Sequence, residues 1–188
     1  MGQINIQLIL DGCRRENRDA QRRLYEHFFG YGMSICLRYS KSRDEALEIF
    51  NDGLLKVFTR LDQFDPAFRF EGWLRSILIR TAIDYHRSQH RFPEPVGLEN
   101  LAEQPDDDST LMAILSPDED VLPILQKLSP AYRVVFNLYV MEDYRHHEIA
   151  EMLGISVSAS RSNLVRAKQQ LLILLAPKLQ KAVKTSWS

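Results

Sequence analysis

A stretch of 31 residues, from Pro93 to Pro123, sets the strongest limit on how this chain can fold. It contains nine acidic residues and five prolines, and it has no lysine or arginine. Each proline restricts its own backbone and that of the preceding residue, which disfavours long helices in this stretch. We therefore interpret residues 93–123 as an acidic, proline-containing linker in which the apolar residues 111–115 could form a helical turn. The rest of the chain then folds as two blocks, residues 1–92 and 124–188.

Charge is distributed unevenly over these three parts. The net charge of the chain is −1, but residues 1–92 carry +3, residues 93–123 carry −9 and residues 124–188 carry +5. Two basic blocks joined by an acidic segment indicate contact with nucleic acid.

Composition excludes several other classes of protein. Hydrophobic residues make up 45% of the chain, which excludes an intrinsically disordered protein. No apolar run approaches the roughly 18 residues of a membrane-spanning helix, and the first residues lack the pattern of a signal peptide. Two cysteines without CxxC spacing do not make a disulfide framework, so we expect a cytoplasmic protein.

Both blocks show the periodicity of amphipathic helices and no strand-like alternation, which predicts an all-α fold of two small domains. We expect an N-terminal helical bundle and a C-terminal four-helix domain. In the first block, one helix covers residues 44–61 and a second covers residues 73–91. The predicted core positions of these two helices are Leu47, Phe50, Leu54, Phe58, Leu61, Trp73, Leu74, Ile77, Leu78 and Tyr85. Gly53 is expected to interrupt the first helix.

The C-terminal block contains the pattern of a helix-turn-helix between residues 146 and 175. Ser129 and Pro130 are typical first residues of the helix that precedes it. Ala150 is small where two helices must approach closely, and Gly154 can adopt the positive φ of a sharp turn. Ser156 caps the second helix, which in this motif enters the major groove of DNA. The residues predicted to face DNA are Ser158, Arg161, Ser162, Val165, Arg166 and Lys168.

The alternative for this helix is a solvated face in a protein-binding helical hairpin. From Arg161 to Lys184 there are six basic residues and no acidic residue. An all-basic helix beside a glycine turn favours phosphate as the partner.

Four aromatic residues surround a turn in the first block: Phe64, Phe68, Phe70 and Trp73. The helix that follows presents Arg80, Asp84, Arg87 and Arg91 at steps of four, three and four residues. Aromatic side chains beside a basic helix are typical of single-stranded nucleic-acid binding, because every base has a stacking face. The alternative is that these aromatic residues are core, and for Trp73, on the apolar stripe, core is the favoured interpretation.

Three segments in this order resemble bacterial RNA polymerase sigma factors of the extracytoplasmic-function (ECF) type, in the sigma-70 superfamily. Residues 44–58 are similar to the helix that binds the polymerase, residues 70–87 to the elements that melt and read the −10 promoter box, and residues 128–168 to the domain that reads the −35 box. The resemblance implies a factor that directs promoter recognition, DNA melting and transcription initiation.

The resemblance also implies the partners and their binding residues. Core RNA polymerase would be bound by Glu48, Asn51, Asp52 and Leu55. Single-stranded −10 DNA would be bound by Phe68, Phe70, Trp73, Arg80, Thr81, Asp84, Arg87 and Arg91. Duplex −35 DNA would meet the residues named above for the helix-turn-helix, and an anti-sigma factor is a further expected partner. No cofactor or small-molecule substrate is implied.

The sequence departs from the family pattern at several positions. Thr81 stands where Asn is common, Asn51 where Gln is usual, and Ser158-Ala159 where Gly-Thr is frequent. These departures leave the class unchanged and affect the exact promoter sequence.

The main alternative function is a helix-turn-helix regulator that binds DNA without the polymerase. It explains residues 124–188 equally well but gives no role to residues 44–92 or to the acidic linker. His86 and His90 have a spacing that can hold zinc, but a companion glutamate and a third ligand are missing, so no metal site is expected. No nucleophile, phosphate-loop or paired-carboxylate motif is present, so no enzyme is predicted.

Overall fold

The computed structural model describes residues 5–89 and 121–185, with side chains up to Ala176. Every regular element in these two ranges is helical, which confirms the predicted all-α class. None of the described helices combines the length and the apolar character needed to cross a membrane.

The chain forms two compact units, residues 1–85 and 86–188. This confirms the prediction of two helical domains. The predicted linker lies outside the described residues except for its last three positions. Within these, Leu122 and Pro123 already belong to a short helix, so helical structure begins before residue 124. The boundaries 1–92, 93–123 and 124–188 otherwise stay predictions.

Four α-helices and a 3₁₀ turn form the described part of the first unit. They are α1 (Ile6–Arg14), α2 (Arg18–Tyr39), α3 (Arg43–Thr59), the 3₁₀ turn (Leu61–Gln63) and α4 (Phe70–Gln89), whose last residues extend past the unit boundary. Side-chain caps fix where the first three helices begin. Asn5, Asn17 and Ser42 each accept a backbone N–H from the third residue after them, at 3.0–3.2 Å.

The predicted core positions of α3 and α4 face inward. The buried positions are Phe50, Leu54, Leu61, Leu74, Ile77 and Leu78. Half-buried are Leu47, Phe58, Trp73 and Tyr85. Helical periodicity therefore identified the correct face of each helix.

The expectation that Gly53 interrupts α3 is wrong. The helix runs through Gly53 without a break, and Gly53 is buried against Leu78. A Cβ at this position would lie 2.5 Å from Cδ2 of Leu78. The missing side chain lets α3 and α4 approach closely, so this glycine serves packing and not a turn.

The second unit contains four further α-helices and one π-helical segment among its described residues after residue 120. They are α5 (Leu122–Leu125), α6 (Pro130–Phe136), the π segment (Asn137–Met141), α7 (His146–Leu153) and α8 (Val157–Thr185). As predicted, Ser129 caps α6, because its hydroxyl accepts the N–H of Tyr132 at 3.4 Å and Pro130 follows as the first helical residue.

A buried arginine joins α5 to α6. Arg133 is 2% exposed, and its guanidinium donates to the carbonyl oxygens of Leu125, Gln126 and Leu128 at 3.1, 3.2 and 2.8 Å. The carbonyl of Leu125 ends α5 and also accepts the N–H of Leu128 at 3.1 Å, whereas Gln126 and Leu128 lie in the turn that follows the helix. The arginine thus acts as a C-terminal cap supplied by the next helix.

Candidate nucleic-acid interface

The turn between α7 and α8 has the predicted helix-turn-helix geometry. Gly154 has φ +67° and ψ +39°, the left-handed conformation that glycine adopts without steric cost. Ser156 caps α8, because its Oγ accepts the N–H of Ala159 at 3.0 Å. Ile149 and Leu153 are buried beneath the turn. The first turns of α8 are therefore held at a fixed angle to α7.

Five of the six residues predicted to face DNA are accessible on α8. Ser158 and Arg161 are exposed, and Val165, Arg166 and Lys168 are half-buried. Ser162 is 7% exposed, so its predicted contact with DNA is wrong.

The position of Ser162 on the helix explains its burial. It lies one turn after Ala159 and one turn before Arg166, and this flank of α8 turns toward α6. Nη1 of Arg166 donates to the hydroxyl of Tyr132 in α6 at 3.5 Å. Contacts from α6 were not visible in the local sequence pattern.

A polar and aromatic cluster that the sequence did not reveal supports the same helix. The ring of His146 stacks on Tyr139 with centroids 4.6 Å apart, and its Nδ1 lies 2.9 Å from Oγ of the buried Ser160. Nζ of Lys168 lies 5.8 Å from the centre of the Tyr139 ring. The π segment, α7 and α8 are thereby joined behind the exposed face of α8.

The aromatic turn of the first unit divides into buried and exposed members. Phe64 and Phe70 are buried, and their ring centroids are 5.3 Å apart. The ring centroid of Phe70 also lies 5.1 Å from that of Phe28 in α2, and Phe70 is only 3% exposed. Its predicted contact with bases is therefore wrong. Trp73 is half-buried against Phe64 and Phe70, in line with the favoured core interpretation.

Phe68 differs from the other aromatic residues because it is 72% exposed. The loop before it is held by Asp65, whose carboxylate accepts the N–H of Ala67 at 2.9 Å and whose carbonyl accepts the N–H of Phe68 at 3.1 Å. This ordered turn presents one large aromatic ring to solvent at the start of α4.

The polar side of α4 carries most of the residues predicted for it. Arg80, Asp84 and Arg87 are exposed, and Arg91 lies outside the described residues. Oδ2 of Asp84 accepts a hydrogen bond from Nζ of Lys56 in α3 at 3.0 Å.

The predicted contact of Thr81 with DNA is wrong. Thr81 is 3% exposed, and its hydroxyl donates to the carbonyl oxygen of Ile77 at 2.8 Å. Thr81 lies on the same buried face of α4 as Ile77 and Leu78. Its hydroxyl therefore finds its hydrogen-bond partner within the helix.

The four residues predicted to meet the polymerase lie together on the exposed side of α3: Glu48, Asn51, Asp52 and Leu55. Leu55 is 63% exposed. Asn51 accepts a hydrogen bond from the hydroxyl of Tyr25 at 3.4 Å.

Burial raises the pKa of Tyr85, and the nearby carboxylates of Glu45 and Glu48 raise it further, so this phenol is neutral.

Among the described residues, no three histidine, cysteine or acidic side chains are grouped as metal ligands would be. Both cysteines are buried, and burial raises the pKa of Cys36 to about 12. A thiol with so high a pKa is not a nucleophile at neutral pH.

Two family models match the two helical blocks in order. Residues 24–92 match the model described as Sigma-70 region 2, and residues 118–171 match Sigma-70, region 4. The chain belongs to the sigma-70 family. Its function is that of a sigma factor in transcription initiation, as the resemblance implied.

Relatives of this sigma factor carry the same designation. It is 27% identical over 143 residues to the RNA polymerase sigma factor SigV of Bacillus subtilis, covering 75% of this chain and 82% of SigV. It is 26% identical to the ECF sigma factor SigE of Mycolicibacterium smegmatis and 25% identical to the ECF sigma factor SigG of Mycobacterium tuberculosis. Those alignments cover 76% and 89% of this chain but only 56% and 53% of the two relatives, so the chain spans about half of their length.

Two solved structures are similar to this sigma factor. CnrH, in complex with the cytosolic domain of CnrY, gives a TM-score of 0.45 at 20% identity, covering 90% of this chain and 96% of CnrH. The sigma factor RpoE, in complex with the anti-sigma factor NepR from Bartonella quintana, gives a TM-score of 0.48 at 21% identity, covering 82% of this chain and 96% of that one.

Proposed function

We propose that this sigma factor binds core RNA polymerase through α3 and directs it to promoters that are read at two boxes, one by each helical unit. The observation that carries the proposal is the order of the family matches, region 2 before region 4, each with an accessible basic helix. Each surface is assigned below from the exposure of its side chains.

The −35 box is read by the exposed face of α8. Arg161 donates two hydrogen bonds to a guanine, Val165 contacts a thymine methyl group, and Ser158 and Lys168 bind phosphate at the edges of the groove. Arg166, half-buried against α6, binds the phosphate backbone at the flank. Ser162 has no part in this surface because it is buried.

The −10 strand is captured at the start of α4 after the duplex opens. Phe68 offers an exposed ring on which an unpaired base stacks, and the edge of Trp73 extends this surface. Arg80 and Arg87 are exposed on α4 and bind the phosphates of the same strand. Phe70 and Thr81 support this surface from within the core and do not touch DNA.

Core polymerase is bound by the surface of α3 that contains Glu48, Asn51, Asp52 and Leu55. Leu55 is the apolar anchor, and a polar rim surrounds it. The double variant Asp52→Arg, Leu55→Ala should abolish core binding without unfolding the chain, because both side chains are exposed. Glu26→Arg on the exposed surface of α2 is a charge-matched control. If immobilised core polymerase retains the double variant as well as it retains the natural chain, this surface of α3 is not the polymerase-binding site.

Further partners follow from membership of the family. An anti-sigma factor is expected to cover these surfaces until a signal arrives. The sigma factor itself acts in the cytoplasm, where the polymerase is. It works by binding alone, without a cofactor, a small-molecule substrate or catalysis of its own.

One experiment tests the proposed function as a whole. Core RNA polymerase and the full chain are incubated with fragmented genomic DNA, and the transcripts are sequenced at their 5′ ends. We expect start sites with two shared upstream boxes, none of which appears with core polymerase alone. A chain that neither binds core polymerase nor produces such transcripts, yet binds duplex DNA by itself, would be the stand-alone regulator instead.

A further inference from the structure

An ion pair links the proposed polymerase-binding helix to the proposed DNA-binding helix within the first unit. Nζ of Lys56, on α3, lies 3.0 Å from Oδ2 of Asp84, on α4. The Asp84 side chain is 61% exposed and that of Lys56 is 32% exposed. A pair this accessible to solvent contributes little to folding, so stability does not explain its presence.

Asp84 has a second cationic neighbour in the sequence. Arg80 precedes it by four residues on α4, a spacing that places two side chains on adjacent turns of the same helix face. An arginine and an aspartate at this spacing are within reach of an ion pair, although the order with the acidic residue first is the more favourable one. Within residues 5–89 and 121–176, however, Asp84 pairs with Lys56 and no ion pair includes Arg80.

The position of Lys56 is set by the core and not by its partner. Three residues earlier on α3, Gly53 is in close contact with Leu78 of α4. This contact fixes the distance between the two helices and brings the lysine within reach of Asp84. The lysine therefore draws the carboxylate toward α3 and away from Arg80.

We infer that Lys56 is a positioning residue for the −10 strand: by holding Asp84 against α3, it leaves the guanidinium of Arg80 free to bind a DNA phosphate. Without Lys56, the carboxylate pairs with Arg80 and offsets its charge, and it repels the phosphates of the strand. The inference rests on the proposed function of α4, since it requires Arg80 to contact DNA.

The test uses the full chain with core RNA polymerase. The probe is a fluorescein-labelled fork-junction DNA that carries the unpaired −10 strand of the strongest promoter found by transcript sequencing.

Lys56→Met should weaken binding of this probe by about threefold to tenfold, the range expected for loss of one phosphate contact. Adding Asp84→Asn should restore most of the affinity, because the amide does not neutralise Arg80. Lys56→Arg should bind like the natural chain, because its guanidinium can still hold Asp84.

Two controls separate this role from others. Lys41→Met removes the same charge from an exposed site just before α3 and should leave binding unchanged. Thermal unfolding and core affinity are measured for every variant, and the probe is titrated with core polymerase saturated by the sigma factor. A lower affinity for the probe then reports on DNA and not on folding or on holoenzyme assembly.

Several results would overturn the inference. If Asp84→Asn fails to restore binding in the Lys56→Met chain, Lys56 itself contacts DNA. If Lys56→Met changes only core affinity, its role lies in the polymerase interface. If Arg80→Ala weakens binding but Lys56→Met does not, the inference fails while the proposed function of α4 stands. If Arg80→Ala has no effect on binding, both fail.

Discussion

Phe68 and Phe70 are separated by one residue but lie in opposite environments. Phe68 is 72% exposed, whereas Phe70 is 3% exposed and contacts Phe28 and Phe64. Phe70→Ala should therefore lower the free energy of unfolding by about 3–5 kcal/mol, the usual cost of emptying a buried phenylalanine site. Phe68→Ala should leave stability nearly unchanged but slow promoter opening, because a stacking surface is lost. Urea unfolding and fluorescence-detected promoter melting measure the two effects. Equal destabilisation by both substitutions would contradict this division.

Two glycines within helices allow a matched comparison at the same scale. Gly53→Ala would place a Cβ 2.5 Å from Cδ2 of the buried Leu78, whereas Gly30→Ala in α2 meets no atom within 4 Å. Alanine at residue 30 should raise the free energy of unfolding by about 0.5–1 kcal/mol, because glycine is a poor helix former. At residue 53 the same change should lower it by about 1–3 kcal/mol, since overpacking outweighs the gain in propensity. Chemical denaturation of the two variants side by side tests the opposite signs, and stabilisation by Gly53→Ala would show that the side chain of Leu78 or the two helices can shift to admit the Cβ at little cost.

At the scale of helices, the sequence predicted where a helix begins or ends, and which face it buries, better than it predicted which residues beside that face are buried. Caps and turns such as Ser129 and Gly154 depend on residues within about four positions, so local chemistry was sufficient to identify them. Burial of Phe70 depends on Phe28, which is 42 residues away, and burial of Ser162 follows from the flank that meets α6. Neither partner is visible in the periodicity of one helix. The errors in the predicted site therefore fall where a helix flank meets a distant element.

Arg133 makes the junction of α5 and α6 a further test at this scale. Its guanidinium donates to three carbonyl oxygens at the end of α5 and in the turn after it. Arg133→Lys keeps the charge but has all its donors on one nitrogen, so it cannot reproduce bonds made from both Nε and Nη2. It should therefore lower the stability of the second unit by about 2–4 kcal/mol. Hydrogen exchange should show faster exchange in α5 and α6 while the amides of α2 and α3 stay protected. A lysine variant with unchanged protection in α5 would mean that water replaces the lost donors without cost.

For the whole molecule, the arrangement of charge carries more information than its total. The two family matches, residues 24–92 and 118–171, fall mainly on the basic blocks. Most of the acidic residues between them lie in the part of the sequence that neither match covers. A net charge of −1 therefore combines two basic blocks, whose sign favours contact with DNA, with an acidic segment whose sign opposes it.

Replacing the nine acidic residues between Pro93 and Pro123 by their amides tests this arrangement, since it changes the net charge from −1 to +8. We expect the acidic segment to oppose the approach of DNA phosphates to the basic blocks, so its neutralisation should tighten binding to a random-sequence duplex by at least about tenfold at low salt. The affinity should also fall more steeply as salt increases, because more counterions are released on binding.

Fluorescence anisotropy of the full chain without polymerase, over a series of salt concentrations, measures both the affinity and its dependence on salt. A chain with the same segment in scrambled order keeps every charge and should behave like the natural one. If the neutralised chain binds no more tightly than the scrambled one at any salt concentration, the acidic segment does not restrain non-specific binding.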